Sequence, residues 1–430
     1  MSGKAAPVEI PRLTKPFDAR IHVPGSKSIT NRALLIAALA SGTSILRNVL
    51  FSDDTEYMIG ALLKMGINLD IDRGQNVIVV HGNGGELAVP ADPIYIGNSG
   101  TCARFLTTAV ALGYGRYVID GNERMRQRPI QDLVDGLKGL GVAVTTAGDT
   151  GCPPLTVDAS GLHGGKTTVS GSTSSQYLSS ILLSAPYATS QVTINVKGKI
   201  VSRPYVVMSA RMMQQFGARV SWKDDREITV FTDKKYTGRE YTIESDYSSA
   251  SYFAGAAALA EGHVVLTQLP ANSLQGDAAF IEILEQMGAR VAQHDDAVEV
   301  TGTGKLTGID VDMYDCSDLV PTIAVLGAFA SGKTRIRNVE NIRVKESDRI
   351  AAVTTELKKI GARVEEFKDG LQVEGGMPLH GASIKTYDDH RIAMAFSLAG
   401  LKVKGIKIED PGCVAKTYPD FFDEFLKIAR

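Results

Sequence analysis

Helix-like and strand-like apolar stretches alternate along the chain, and the alternation repeats. At five places a helical stretch ends in an apolar residue and a glycine, and a short strand-like run follows. These are LKMGINL (Leu63–Leu69), LKGLGVAV (Leu137–Val144), MQQFGARV (Met213–Val220), LEQMGARV (Leu284–Val291) and LKKIGARV (Leu357–Val364). Glycine just past a helix supplies a left-handed cap. The alternating residues after it predict strand, turn and strand. Upstream of each lies a second shared pattern: a short strand, a loop rich in Gly, Ser and Asp, a helix of small residues, and another strand. Its starts fall near Ile21, Ile94, Thr167, Tyr241, Ile309 and Ser383. Their spacing of about 70 residues suits one repeated supersecondary unit.

Each unit therefore reads β-α-β-α-β-β, and the fold class is α/β. Several of the helices are apolar all round, which predicts buried helices with sheets outside them. A chain of 430 residues exceeds one ordinary core. Three units per domain give a first domain over 21–242 and a second over 1–20 plus 243–430. The crossovers are expected near Asp18–Val23 and Thr242–Ser245. The sixth unit ends early, at Phe421–Ala429, and its missing last strands are assigned to the N-terminal segment Val8–Phe17.

A formal net charge of −2 argues against general affinity for nucleic acid or anionic membranes. A cationic site must then be local. The four cysteines, Cys102, Cys152, Cys316 and Cys413, have no metal-like spacing and read as free thiols in a reducing compartment. Met1–Lys15 lacks a signal-type apolar core, and stretches such as Leu34–Ala40 and Ile323–Ala330 are too short to span a bilayer. The expected location is the cytoplasm.

The loops carry the candidate chemistry. Each precedes a helix, whose free N–H groups and dipole favour anions. Ordinary capping explains any one Ser or Asp there. The charges that recur beside the loops exceed capping. Lys27 and Arg32 flank Ser28. Arg104 is followed by Arg124, Arg126 and Arg128. Ser174, Ser175 and Gln176 precede Ser202, Arg203 and Tyr205. Asp318 precedes Arg343, Lys345, Glu346 and Arg349, and Asp389, His390 and Arg391 precede Lys416. Arginine forks bind phosphate and carboxylate bidentately, so the pattern predicts a cationic site between the halves for small phosphorylated substrates. Asp318 and Glu346 are the acid/base candidates, with His390 as a possible shuttle.

Two motifs mislead. GAFASGKT (Gly327–Thr334) matches a phosphate-binding loop literally, but it follows a predicted helix and leads into a strand, the reverse of the required order. Asp388–His390 suggests a metal, yet no further ligands stand at useful spacing.

The motifs PGSKSITNRAL, GNSGTCARF, ERMRQRPI, GSTSSQYLSSILL, SRPY, SSASYF, LQGD, RVKESDRI, DDHRIAMAF and CVAKTYPDFF, in this order from about Ala19 to Leu426, closely resemble the 5-enolpyruvylshikimate-3-phosphate synthase family. The resemblance implies the inside-out α/β barrel of the enolpyruvyl transferases, two three-unit domains closing on substrate. It implies transfer of the enolpyruvyl group of phosphoenolpyruvate to the 5-hydroxyl of shikimate 3-phosphate with release of phosphate, in chorismate and aromatic amino-acid synthesis. It implies no metal or organic cofactor, and a monomer is expected. Lys27, Ser28, Arg32, Ser174, Ser175, Gln176, Ser202, Tyr205, Asp318, Asn341 and Lys345 would hold shikimate 3-phosphate. Lys27, Gly100, Arg128, Gln176, Glu346, Arg349, Arg391 and Lys416 would hold phosphoenolpyruvate, with Asp318, Glu346 and Lys27 catalytic. Three departures stand out: Phe105 where many members have Pro, YDCS before Asp318, and SDYSSAS in the fourth loop. The nearest alternative, the related transferase acting on UDP-N-acetylglucosamine, typically has a cysteine in the second-unit loop. Gly121–Pro129 has none. A ring-like DNA clamp would need cations along its inner helices, and here they sit in loops.

Overall fold

The computed structural model describes residues 6–429. They form two compact bodies: an N-terminal body, 25–243, and a C-terminal body built from residues 6–24 together with 244–429. The chain passes between them at Pro24–Gly25 and at Ile243–Glu244.

Five four-stranded sheets and one of three strands are present among the described residues. The second repeat shows the plan. Ile94–Tyr95 pairs parallel with Tyr114–Asp120, which pairs antiparallel with Leu155–Ser160, which pairs antiparallel with Ala143–Thr146. A parallel pair needs a crossover, supplied here by the helix Gly100–Ala109. The antiparallel pairs follow from the second helix, Gln131–Lys138, and the return through residues 147–154. The glycines closing the second helices take left-handed φ as the cap pattern requires, 85° at Gly66 and 102° at Gly288 among them.

The first strands of the first and fourth repeats depart from chain order. The strand near Ile21, expected to open the first repeat, is Asp18–Ile21 and pairs parallel with His263–Thr267 in the fourth repeat's sheet. Glu240–Thr242, expected to open the fourth, pairs parallel with Ser41–Arg47 in the first. Each strand is laid down before the chain crosses, so it fills the vacant sheet edge of the body it is about to leave. The sixth sheet is completed by the N-terminal strand Val8–Glu9, antiparallel to Lys407–Ile408. Ile10 then packs on Gly400, where a Cβ would lie 2.3 Å from the Ile10 Cβ. Only glycine admits this close approach.

The first helix of each repeat is the buried one. Every residue of Gly100–Ala109 and of Tyr247–Ala260 is buried. Their hydroxyls are satisfied inside the bundle: Thr107 Oγ1 donates to Ala103 O at 2.5 Å, and Ser251 Oγ to Ser248 O at 2.6 Å. An unpaired hydroxyl here would cost about 1–3 kcal/mol. The Gly327–Thr334 stretch runs from the helix Val320–Phe329 into the strand Lys333–Arg337, the order that a nucleotide loop does not have. All four cysteines are free thiols. No helix among the described residues is long and apolar enough to cross a membrane.

Candidate active site

In the N-terminal body, three repeats bring their loops together. Lys27 opens the helix Lys27–Leu39, and its Nζ lies 3.4 Å from Asp54 Oδ2. One turn on, Arg32 is 2% exposed. Its guanidinium donates to Ser209 Oγ at 2.8 Å, Ser28 O at 2.9 Å and Tyr205 O at 3.2 Å, and reaches Ser179 Oγ at 3.4 Å. Its Cζ stands 5.0 Å from the Phe105 ring centroid, so the residue that departs from the family's usual Pro here supplies a cation–π face. Burial lowers the pKa of the Arg32 guanidinium from its ordinary value to about 10. The partners are hydroxyls, carbonyls and aromatic rings, and among the described residues no carboxylate pairs with it.

Ser99 caps the helix Gly100–Ala109. Arg128 Nη1 donates to Asn98 O at 3.0 Å and Asn98 Oδ1 at 3.2 Å, which brings its guanidinium against Gly100. Arg104, also buried, is turned inward and donates to Pro129 O at 2.6 Å. Arg126 is a surface residue paired with Asp120. From the third repeat, Ser174 caps Ser175–Ser184 by accepting from Gln176 N, and Gln176 Nε2 reaches Thr101 Oγ1 at 3.3 Å. Ser202, at φ 49°, precedes the helix that carries Tyr205 and Ser209.

In the C-terminal body the cations meet carboxylates. Arg349, 1% exposed, is the first residue of the helix Arg349–Lys359. It donates to Asp318 Oδ1 at 2.9 Å, Glu346 Oε2 at 2.7 Å and Asp389 Oδ2 at 2.8 Å. Burial pulls its pKa down, but Asp389, Glu346 and Asp318 outweigh burial and raise it. Arg391 Nη2 donates to Asp318 Oδ2 at 2.9 Å and to Ser248 Oγ at 3.3 Å. Lys345 Nζ lies 3.7 Å from Asp318 Oδ1, and Lys416 Nζ 3.7 Å from Glu346 Oε1. Asn341 donates to Ser317 Oγ at 3.1 Å, beside Asp318. His390 is buried, its Nδ1 3.7 Å from Asp389 Oδ1. The two sequence departures here are structural. In SDYSSAS the Ser245 hydroxyl donates to Val23 O at 2.9 Å and the Tyr247 hydroxyl to Pro270 O at 3.0 Å, and in YDCS Cys316 is buried, its thiol pushed up chiefly by burial.

Four residues of these clusters had no role at the level of sequence. Asp389 accepts from Arg349, Ser347 and Arg391 N; the sequence marked it as a charge beside a loop and gave it no role. Asp54 pairs with Lys27 from within a capping box. Ser209 lies mid-helix and carried no signal. Asp277 is fully buried and bonded to Ser248; its place in LQGD marked the loop without a function.

The two bodies each offer cations to an anion: Arg32, held by neutral acceptors, and arginines and lysines held by acids. The C-terminal body places two carboxylates, Asp318 and Glu346, in contact with one arginine. That set can neutralise phosphate and carboxylate groups and move protons.

A family model described as EPSP synthase (3-phosphoshikimate 1-carboxyvinyltransferase) matches residues 11–425. The chain is 46% identical over 421 residues to a 3-phosphoshikimate 1-carboxyvinyltransferase of Trichormus variabilis, covering 98% of this chain and 99% of that one. It is 43% identical to the enzyme of that name from Shewanella denitrificans, covering 96% and 97%. An EPSP synthase structure from Acinetobacter baumannii superposes with a TM-score of 0.82 at 29% identity, covering 98% of this chain and 97% of that one.

Proposed function

The chain belongs to the EPSP synthase family, and from that premise we propose that it transfers the enolpyruvyl group of phosphoenolpyruvate to the 5-hydroxyl of shikimate 3-phosphate, releasing phosphate. The reaction is a step of chorismate and aromatic amino-acid synthesis. The observation that carries the mechanism is the Asp318–Arg349–Glu346 constellation, with Arg391 on Asp318 and Lys416 near Glu346.

The acceptor's hydroxyl must lose a proton while the enol methylene carbon, C3, gains one. In this reading Arg349, Arg391, Lys416 and Arg128 take the phosphate and carboxylate of phosphoenolpyruvate, helped by Lys27, Gln176 and the space over Gly100. Ser28, Arg32, Ser174, Ser175, Gln176, Ser202 and Tyr205 hold shikimate 3-phosphate, with Lys27, Asn341 and Lys345. An anion that captures N–H groups of Arg349 and Arg391 takes them from Asp318, since those groups now donate to its two oxygens. The carboxylate so released accepts the hydroxyl proton. The oxygen attacks C2, and C3 takes a proton from Glu346 in its acid form or from Lys27. The tetrahedral adduct then expels phosphate, and C3 returns its proton as the enol ether forms. The cations stabilise the charge that develops on phosphate. The chain is expected to work as a cytoplasmic monomer.

Phosphate release by the purified protein tests the reading, with phosphoenolpyruvate and either shikimate 3-phosphate or UDP-N-acetylglucosamine as acceptor. Release with shikimate 3-phosphate alone is expected, falling about 10²–10⁴-fold in Asp318→Asn. Release only with the nucleotide sugar would transfer the assignment to the related enzyme.

A further inference from the structure

The LQGD loop ends in Asp277, a carboxyl that is 1% exposed and to which the mechanism above gives no part. The loop is stitched to the start of the helix Tyr247–Ala260. Gln275 Oε1 accepts from Tyr247 N at 3.1 Å, and Gln275 Nε2 donates to Ser245 O at 2.8 Å. The stitching brings Asp277 Oδ2 onto the Ser248 hydroxyl. The same hydroxyl oxygen accepts from Arg391 Nη2, which also donates to Asp318 Oδ2. The bonds run in one direction, from guanidinium to hydroxyl to carboxylate.

We propose that Asp277 is a positioning residue for Arg391: its ionised carboxylate takes the Ser248 proton, turns that hydroxyl's lone pairs to Arg391 Nη2, and so holds the guanidinium where an anionic substrate group takes it over. This rests on the enolpyruvyl-transfer reading, in which Arg391 binds phosphoenolpyruvate. A buried carboxylate is costly, and an asparagine would sit there more cheaply. The groups facing Asp277 are Asp318 from the turn Ser317–Leu319, Arg391 from the helix His390–Lys402, Asp246 at the start of Tyr247–Ala260, and Cys316 ahead of Asp318. Burial first, and Asp318 next, push the Asp277 carboxyl up to about 6 against the pull of Arg391 and Ser248. Above that pH the chain of bonds is polarised toward the carboxylate. Below it the carboxyl is itself a donor, and Ser248 no longer has an anion to face.

The test is the ratio of the KM for phosphoenolpyruvate in Asp277→Asn to that in the parent, measured across pH. A ratio cancels the titration of the substrate's own phosphate. The ratio is expected to be about tenfold at pH 7.5, the size of a coupling between neighbouring residues, and to fall toward one below pH 6. Ser248→Ala should raise KM similarly, and the double variant should be no worse than the more impaired single one. General loosening of the site would instead multiply the two effects. A ratio of one throughout, a ratio that ignores pH, or a double variant showing the product of the singles would overturn the proposal. Phosphate release by the parent tests the underlying reading separately. If the parent is silent with shikimate 3-phosphate, inorganic phosphate binding by titration calorimetry at pH 5.5 and 7.5 decides instead. The same pH-dependent ratio of dissociation constants supports the Asp277 link, and equal affinities overturn it.

Discussion

Arg32 and Arg349 are equally hidden, at 2% and 1% exposure, yet their pKa values move in opposite directions. Arg32 is surrounded by hydroxyls, carbonyls and ring faces, and burial lowers it to about 10. Arg349 is gripped by Asp318, Glu346 and Asp389, and these overcome burial and raise it. The first keeps a net positive charge in its surroundings, ready for an anion that arrives. The second is neutralised in advance, so an anion must displace a carboxylate to use it. A site that only binds can work the first way. A site that moves protons gains from the second, because the displaced carboxylate becomes the base.

The comparison breaks most sharply under Arg→Met substitution. Arg349→Met takes the arginine from two buried carboxylates, Glu346 and Asp389, and from the half-buried Asp318, and loss of about 3–5 kcal/mol is expected at pH 8. Stranded acids have folded-state pKa values raised above their unfolded ones. Their favourable contribution is present at low pH and lost as pH rises, so part of the loss should be recovered at pH 5. Arg32→Met leaves only neutral acceptors, at a cost of about 1–3 kcal/mol. That cost should not change between pH 5 and 8, because Arg32 stays charged through this window. Denaturant unfolding of both variants at the two pH values measures this. Equal losses with equal pH dependence would mean that the two surroundings do not differ energetically.

Asp277→Asn sharpens the comparison by removing one acid from the charged cluster. The Asp277 pKa is raised from 3.8 to about 6. Its contribution to stability is therefore full below the unfolded value and is lost as pH climbs through about 6. The variant should gain on the parent by up to about 3 kcal/mol between pH 3.5 and pH 8. Titrations common to both proteins cancel in that difference. A variant that is less stable than its parent at pH 8 would show that Ser248 and Arg391 more than repay the buried charge.

The repeats were legible because their signals are local: a glycine past a helix, a loop before one, a period for each strand. Exchange of the first strands was not. Asp18–Ile21 and Glu240–Thr242 occupy equivalent places in their repeats, and nothing in three or four residues names the edge each will meet. The site divides in the same way. Arg349, Arg391 and Glu346 stood out as charges beside loops. Asp389 stood out only as one more such charge; in the structure it caps its helix, accepting from Arg391 N, while also holding Arg349. Arg349 stands 40 positions from it, and only the fold brings the two together. Ser209 reaches Arg32 across 177 positions, and only the packed bundle makes them neighbours.

The smallest effect belongs to Gly100, and it isolates position from charge. A Cβ on Gly100 would lie 2.6 Å from Arg128 Nη2 and 3.1 Å from Arg104 Nη1. Arg104 is anchored on Pro129 O, so Arg128 must give way and its bonds to Asn98 must stretch. Gly100→Ala changes no ionisable group. Its expected result is a rise of about tenfold in the KM for phosphoenolpyruvate, near 1.4 kcal/mol, with kcat altered less and global stability within about 1 kcal/mol of the parent. Because only geometry has moved, the ratio of variant to parent KM should be the same at pH 5.5 and pH 8, where the Asp277→Asn ratio is expected to change. A Gly100→Ala ratio that follows pH would mean that the substitution had altered charge as well as position, and Gly100 would not separate the two.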